Sequence, residues 1–314
     1  MPLTNSSSTT ISDFLLNCFV ESGSDHLGLS MVLALLFIVA LAANAVLLLT
    51  IWLEQSLHQP VYYLLSLLSL LDLVLCLAVI PKVLVIFWWD WRSISFAGCF
   101  LQMFVMNSFL AMESCTLMVM AYDRYVAICH PLRYPSIVTD RFVAKAAFFV
   151  VARNTLISFP IPVFSAWLHY CRTNVIEHCI CANLHVSRLS CSDITLSRLY
   201  QFVAGWTLLG SDLVLISLSY TFILRAVLRL KAEGAATKAL STCGSHFILI
   251  LFFSTILLVL ILTNVVKKRV HGNIPVLLNV LHNVIPAALN PIVYGVWTKE
   301  IKEGILRVLR KVRG

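Results

Sequence analysis

The 314 residues are 60% hydrophobic and only 12% charged, with a formal net charge of +8. A water-soluble chain carries about a quarter of its residues charged, so a pair of soluble domains is excluded and lipid is the expected solvent. Nor does the positive balance point to nucleic acid: the basic residues sit in short segments between apolar blocks, where membrane proteins set cations against the cytoplasmic leaflet.

Residues 1–27 are polar and Ser/Thr-rich, carry Asp13, Glu21 and Asp25, and contain no Lys or Arg. Without a basic n-region there is no sign of a cleavable signal peptide, and the first apolar helix is expected to act as its own anchor. Asn5-Ser6-Ser7 is a glycosylation sequon, which makes Asn5 a candidate site. Apolar blocks then follow at 28–53, 61–86, 98–129, 142–166, 198–228, 238–264 and 273–297. Each is long enough to cross about 30 Å of hydrocarbon at about 1.5 Å per residue. The expected fold is an all-α membrane protein, a seven-transmembrane helix bundle over 28–297, with a polar segment before it and a tail at 298–314 after it.

Lys and Arg in the short connections set the orientation. The tail holds Lys299, Lys302, Arg307, Arg310, Lys311 and Arg313; the link between spans five and six holds Arg225, Arg229, Lys231 and Lys238; the link after span three adds Arg133 and Arg141. The N-terminus is therefore expected outside and the tail in the cytoplasm, although Lys267-Lys268-Arg269 after span six runs against the trend. Trp88, Trp89 and Trp91 fit an interfacial aromatic belt. Ile301, Ile305, Val308 and Leu309, with cations between them, read as a short amphipathic eighth helix on the inner leaflet.

Cys76, Cys115, Cys129 and Cys243 fall in or near the inner halves of spans and read as packing residues. Cys18, Cys99, Cys171, Cys179, Cys181 and Cys191 fall outside, in an oxidising compartment. Their spacing does not match paired zinc knuckles, so disulfides are expected, but six cysteines allow fifteen pairings and spacing does not choose among them.

An ionisable side chain at bilayer depth costs at least about 2.5–3.5 kcal/mol, so each one is a functional candidate. Asp72, Glu113, Asp212 and His246 qualify. Asp72 and Glu113, near the middle of adjacent spans, would share a proton or hold a hard cation such as sodium, unless one is simply protonated and hydrogen-bonded. Asp123 and Arg124 are neighbours on one helix and do not face one another, which leaves Arg124 to hold alternative partners on other helices, as a switch requires.

The run Met120-Ala-Tyr-Asp-Arg-Tyr-Val-Ala-Ile-Cys-His-Pro-Leu-Arg-Tyr134 resembles an olfactory (odorant) receptor of the rhodopsin-like G-protein-coupled class. Leu57-His-Gln-Pro-Val-Tyr62, Leu68-Ser-Leu-Leu-Asp72, Ser219-Tyr220, Lys238 to His246, and Pro286-Ala-Ala-Leu-Asn-Pro-Ile-Val-Tyr-Gly295 agree with it, in order along nearly the whole chain. The long second outer loop and His-Pro-Leu-Arg-Tyr-Pro resemble the fish-like class I branch.

The resemblance implies that Asp123, Arg124 and Tyr125 form the switch, with Arg124 released on activation to meet Tyr220. Asn290, Pro291 and Tyr294 would relay the change from span seven, and His246 would lock span six. Asp72 and Glu113 would form an internal sodium or proton site. Cys99 would pair with Cys181 and Cys171 with Cys191. Cys18 and Cys179 are then left over, either bonded to each other, tying the N-terminal segment to the second outer loop, or as separate thiols.

The implied partners are a small odorant, membrane lipid and a stimulatory olfactory-type G protein that raises cyclic AMP, and no cofactor beyond the sodium ion. Its ligand site would lie in the outer half of the bundle. Met106, Asn107, Leu110 and Ala111 would contribute from span three, Gly205 and Leu208 from span five, Ser254, Leu257, Leu258 and Ile261 from span six, and Val280 and Asn283 from span seven. That lining is apolar with a few neutral polar groups. Since 247–266 contains no Lys or Arg and span three has none above Arg124, a ligand carboxylate would lack a partner, so neutral odorants are expected to outrank fatty acids. Span six departs from relatives: Phe252-Phe253-Ser254-Thr255-Ile256 lacks their Tyr and Pro, and a proline-free helix kinks less readily. The rival readings are a non-olfactory small-molecule G-protein-coupled receptor and, further behind because no internal repeat is visible, a proton-coupled transporter. No catalytic motif supports an enzyme.

Overall fold

The computed structural model describes residues 12–18, 25–171, 173–229, 244 and 273–313. Span six lies outside them apart from Gly244, and with it His246, Ser254, Leu257, Leu258 and Ile261, as do Asn5, Cys243 and the 267–269 cluster.

Span one is the helix Asp25–Leu53, span two Pro60–Trp89 and span three Phe96–Cys129. Span four runs Asp140–Ser158 and continues as Pro160–Ala166; span five runs Thr195–Gly205, widens into a π turn at Trp206–Gly210 and resumes as Ser211–Arg229. Span seven is Asn273–Trp297. All lie within three residues of the expected limits. The agreement has a simple cause: hydrocarbon offers no hydrogen bonds, so a long apolar segment must pair its own backbone as a helix. Among the described residues six helices are long and apolar enough to cross a membrane. Their ends carry local stop signals. Pro60 opens span two at a position that lacks a helical N–H partner. The hydroxyl of Ser95 accepts from Gly98 N (3.1 Å) and caps span three.

Span three packs against spans two, four and five, while span one packs against spans two and seven. Most buried side chains of this bundle are apolar, and apolar residues such as Met31, Leu35 and Phe148 also point outward.

One end of the bundle carries a small sheet. Strand β1 (Asp13–Leu16) lies between β2 (Ser93–Ser95), antiparallel, and β3 (Val175–Ile176), parallel. Nothing in the N-terminal segment's polar composition predicts a strand there. The reason is the alternation of Asp13-Phe14-Leu15-Leu16: Phe14 and Leu16 are fully buried, whereas Asp13 and Leu15 are exposed. Phe14 meets the rings of Phe96, Phe100 and Tyr170 at centroid distances of 5.7, 6.3 and 5.5 Å. Disulfides join Cys18 to Cys179, Cys99 to Cys181 and Cys171 to Cys191. The long loop between spans four and five is thus stapled to span three and to the N-terminal segment. This is the cap end of the bundle.

At the opposite end the tail helix, Lys299–Arg313, lies against span one and the turn after it. Ile301 is fully buried, and a Cβ on Gly304 would stand 3.0 Å from Leu57 and 3.2 Å from Thr50, a tight fit in which those side chains would have to give way slightly. Arg307 reaches Glu54 at 3.6 Å and donates to the Ser56 hydroxyl at 3.4 Å.

Candidate functional site

Three polar layers run down the bundle. The upper one seats the capping loop. Gln102 of span three accepts from Cys181 N (3.0 Å) and donates to Ala78 O of span two (2.9 Å), so one amide fixes both disulfide-bonded loop and helix. His178, fully buried, accepts at Nδ1 from Ile180 N (3.2 Å), and its Nε2 lies 3.3 Å from the Asn279 amide of span seven. Its ring stacks on His185 with centroids 4.4 Å apart. Ser165 and Ser197 both donate to Asn183 Oδ1, which joins spans four and five through the same loop.

Beneath this layer, Met106, Asn107 and Leu110 of span three are partly buried and Ala111 is buried. Asn107 donates to Met103 O (2.8 Å). Leu208 is buried within the π turn of span five, whereas a Cβ on Gly205 would meet nothing within 4 Å. In span seven, Ala287 O accepts from Asn44 of span one (2.8 Å), and Asn283 O accepts from Cys76 Sγ of span two (3.7 Å). Val280 and Asn283 share a helical face with Ala287, so their backbone stripe is turned toward spans one and two. Asn279 is the span-seven residue that meets the capping loop.

The middle layer holds the buried charges. Asp72 is fully buried and accepts from the Asn290 amide at 3.0 and 3.3 Å. Glu113, also buried, lies within hydrogen-bonding reach of Asp72. Asp212 is paired as well, with a residue that the sequence reading did not single out: Arg153, in the centre of span four. Its Nη1 donates to Asp212 Oδ1 at 2.7 Å; its Nη2 reaches Ser211 Oγ (2.7 Å), Leu208 O (3.1 Å) and Thr207 O (3.2 Å). The signal was available, since the rule that flags Asp212 flags any charge at mid-span.

The lower layer surrounds Arg124. The expectation that it would not engage its neighbour needs correction: Arg124 Nη2 stands 3.0 Å from Asp123 Oδ2. The helical spacing argument fails because a guanidinium on a long stem can curl back toward residue i−1, although that carboxylate oxygen makes no well-aligned hydrogen bond. Asp123 Oδ1 instead accepts from the Tyr134 hydroxyl at 2.9 Å. Burial and the neighbouring Asp123 carboxylate raise the Tyr134 phenol above its usual range, keeping it a protonated donor. Tyr125 touches His130 Nε2 at 3.2 Å and packs near Ile223 and Val227 of span five. Tyr220 borders the same cluster, while Tyr294, buried, lies within electrostatic reach of Tyr220, Arg124 and Asp72. Pro291 is buried inside span seven, one residue after Asn290.

A family description of olfactory receptors matches residues 33–312. The chain belongs to the olfactory receptor family. It is 73% identical over 304 residues to Olfactory receptor 56A3 of Homo sapiens, covering 97% of this chain and 96% of the relative. To Olfactory receptor 56A1, also of Homo sapiens, it is 72% identical over 309 residues, 98% of this chain and 97% of the relative. A more distant relative, Olfactory receptor 52B2 of Homo sapiens, shares 40% over 280 residues, 89% of this chain and 87% of the relative. These relatives fit the class I branch. Membership makes the chain a seven-helix, multi-pass plasma-membrane receptor for odorants that works through a G protein, and it decides against the transporter.

Proposed function

We propose that a small, mostly apolar and neutral odorant binds this olfactory receptor in the half of the bundle beneath the capping loop, and that the tail end then activates a stimulatory olfactory-type G protein and raises cyclic AMP. The cap end faces outward and the tail end faces the cytoplasm and its lipid leaflet. The observation that carries this reading is the placement of Arg124. It sits at the tail end, in charge contact with Asp123, one layer below the hydrogen bond by which Asn290 of span seven holds Asp72 of span two. A shift of span seven or five would offer Arg124 a new partner in Tyr220, and a bistable contact of that kind converts a small displacement into a switch.

Two buried carboxylates within reach of one another cannot both stay charged in hydrocarbon without a counter-charge. Glu113 Oε1 has no hydrogen-bond partner among the described residues, so the site fits a sodium ion or a shared proton, with Asp72 and Glu113 as its holders. The neutral-ligand preference is supported by what Arg153 at mid-span and Lys82 near the cap end of span two already hold. Arg153 is engaged by Asp212, and Lys82 donates to Trp91 O (2.9 Å) and Ser93 O (2.5 Å).

A cyclic-AMP reporter screen of volatile compounds tests both halves. Alcohols, ketones, lactones or terpenoids should activate at lower concentration than fatty acids, and Arg124→Ala should abolish the response while surface expression persists. Activation by carboxylic acids alone would refute the ligand class. A full response from Arg124→Ala would refute the switch.

A further inference from the structure

An arginine halfway along a membrane span is costly to insert, and span four carries one at Arg153. Neutralising Asp212 would need only one of its nitrogens. The other is spent on span five's backbone: Nη2 reaches Thr207 O and Leu208 O, both inside the π turn Trp206–Gly210, and the Ser211 hydroxyl one residue below it. The same hydroxyl donates to Thr207 O (2.6 Å), and Ser211 N donates to Leu208 O. A π turn interrupts the regular α-helical hydrogen-bond ladder, and here a guanidinium and a hydroxyl add donors to its carbonyls. Arg153 is itself held over the Phe149 ring, 5.9 Å from its centroid, and its side chain is only 15% exposed.

A π turn accommodates one residue more than the α-helix around it. If the turn relaxed to α geometry, everything on one side of it would rotate by about 100° relative to the other. The lower side carries Asp212, Ile216 and Tyr220, fixed against span three; the upper side carries Gly205. We propose that Arg153 is a positioning residue: its fork across Asp212 and the π-turn carbonyls sets the rotational register of the upper half of span five, and so decides which span-five side chains face the odorant. The proposal rests on the ligand reading above. Lysine cannot replace the function, because an ammonium is a point charge and not a planar fork.

The test compares odorant rank order across a neutral panel for wild type, Arg153→Lys and Arg153→Met. Nucleotide exchange on added G protein is read in total cell membranes, so receptors held inside the cell still report. Both variants should reorder the panel, with individual potencies moving tenfold or more in opposite directions; a merely structural loss would lower all responses together and leave the order intact. Deleting Leu209 removes the extra residue, and in that background Arg153→Lys should no longer alter the order. An unchanged rank order in Arg153→Lys, a uniform loss in both variants, or an undiminished Arg153→Lys effect after the deletion would each overturn the proposal. Met106→Ala and Leu110→Ala on span three serve as the separate control. If they leave the panel unmoved, the ligand lies elsewhere and it is the pocket reading that fails, whatever Arg153 does.

Discussion

The two ends of this receptor are held by different chemistry. At the cap end, three disulfides, a three-stranded sheet and the Phe14 aromatic cluster join the N-terminal segment, the loop after span two and the loop after span four. At the tail end, among the described residues, no disulfide or sheet adds to the apolar packing of Ile301, Ile223 and Val227, and the polar contacts stand singly: Tyr134 to Asp123, Arg124 to Asp123, Tyr125 to His130 and Arg307 to Glu54. Covalent and apolar contacts resist exchange, whereas a lone hydrogen bond worth about 1 kcal/mol can be traded for another. A fixed lid over the proposed ligand half and an exchangeable set of contacts over the proposed G-protein half would suit a molecule that must hold still at one end and change at the other.

Breaking the cap should produce the largest effect. Cys18→Ser with Cys179→Ser removes the covalent tether of β1, and a disulfide contributes about 2–4 kcal/mol; the lower part of that range applies, because Cys99–Cys181 already closes part of the same loop. Thermal unfolding of the purified receptor should begin several degrees lower, and odorant potency should fall while Arg124-dependent signalling survives. An unchanged unfolding temperature would mean that the sheet alone holds the lid.

At the tail end, Tyr134→Phe removes the donor to a buried carboxylate, a contact worth about 1.5–3 kcal/mol because it is charge-assisted. Asp123 should then hold Arg124 less firmly in one arrangement, so basal cyclic AMP should rise several-fold without loss of surface receptor. A fall in basal signalling would reverse the assignment of Tyr134 to the resting state. The smallest effect is expected at Arg307→Ala. Its ion pair with Glu54 is long at 3.6 Å, and although the Glu54 side chain is only 10% exposed, that of Arg307 is 46% exposed, so water screens the cation and the pair contributes about 0–1 kcal/mol. The tail helix should stay docked through Ile301, with signalling changed less than twofold; a collapse of signalling would show that the tail end is built on charge after all.

The positions of the six described spans, the tail helix and the receptor family were all legible in the linear sequence. So was the placing of Asp72 and Glu113 on adjacent spans, because two charges buried in long apolar runs stand out by composition alone. Four features were not legible: the strand at Asp13–Leu16, the link from His178 to Asn279, the Tyr134 donor to Asp123, and the Arg153 fork on the π turn. The division follows from range. A span is decided by a local balance between lipid and a self-satisfied backbone, which about twenty consecutive residues settle among themselves. A partner such as Asp212 for Arg153, 59 residues away, is chosen only when packed helices bring two side chains within about 3 Å, and no periodicity along the chain records that distance.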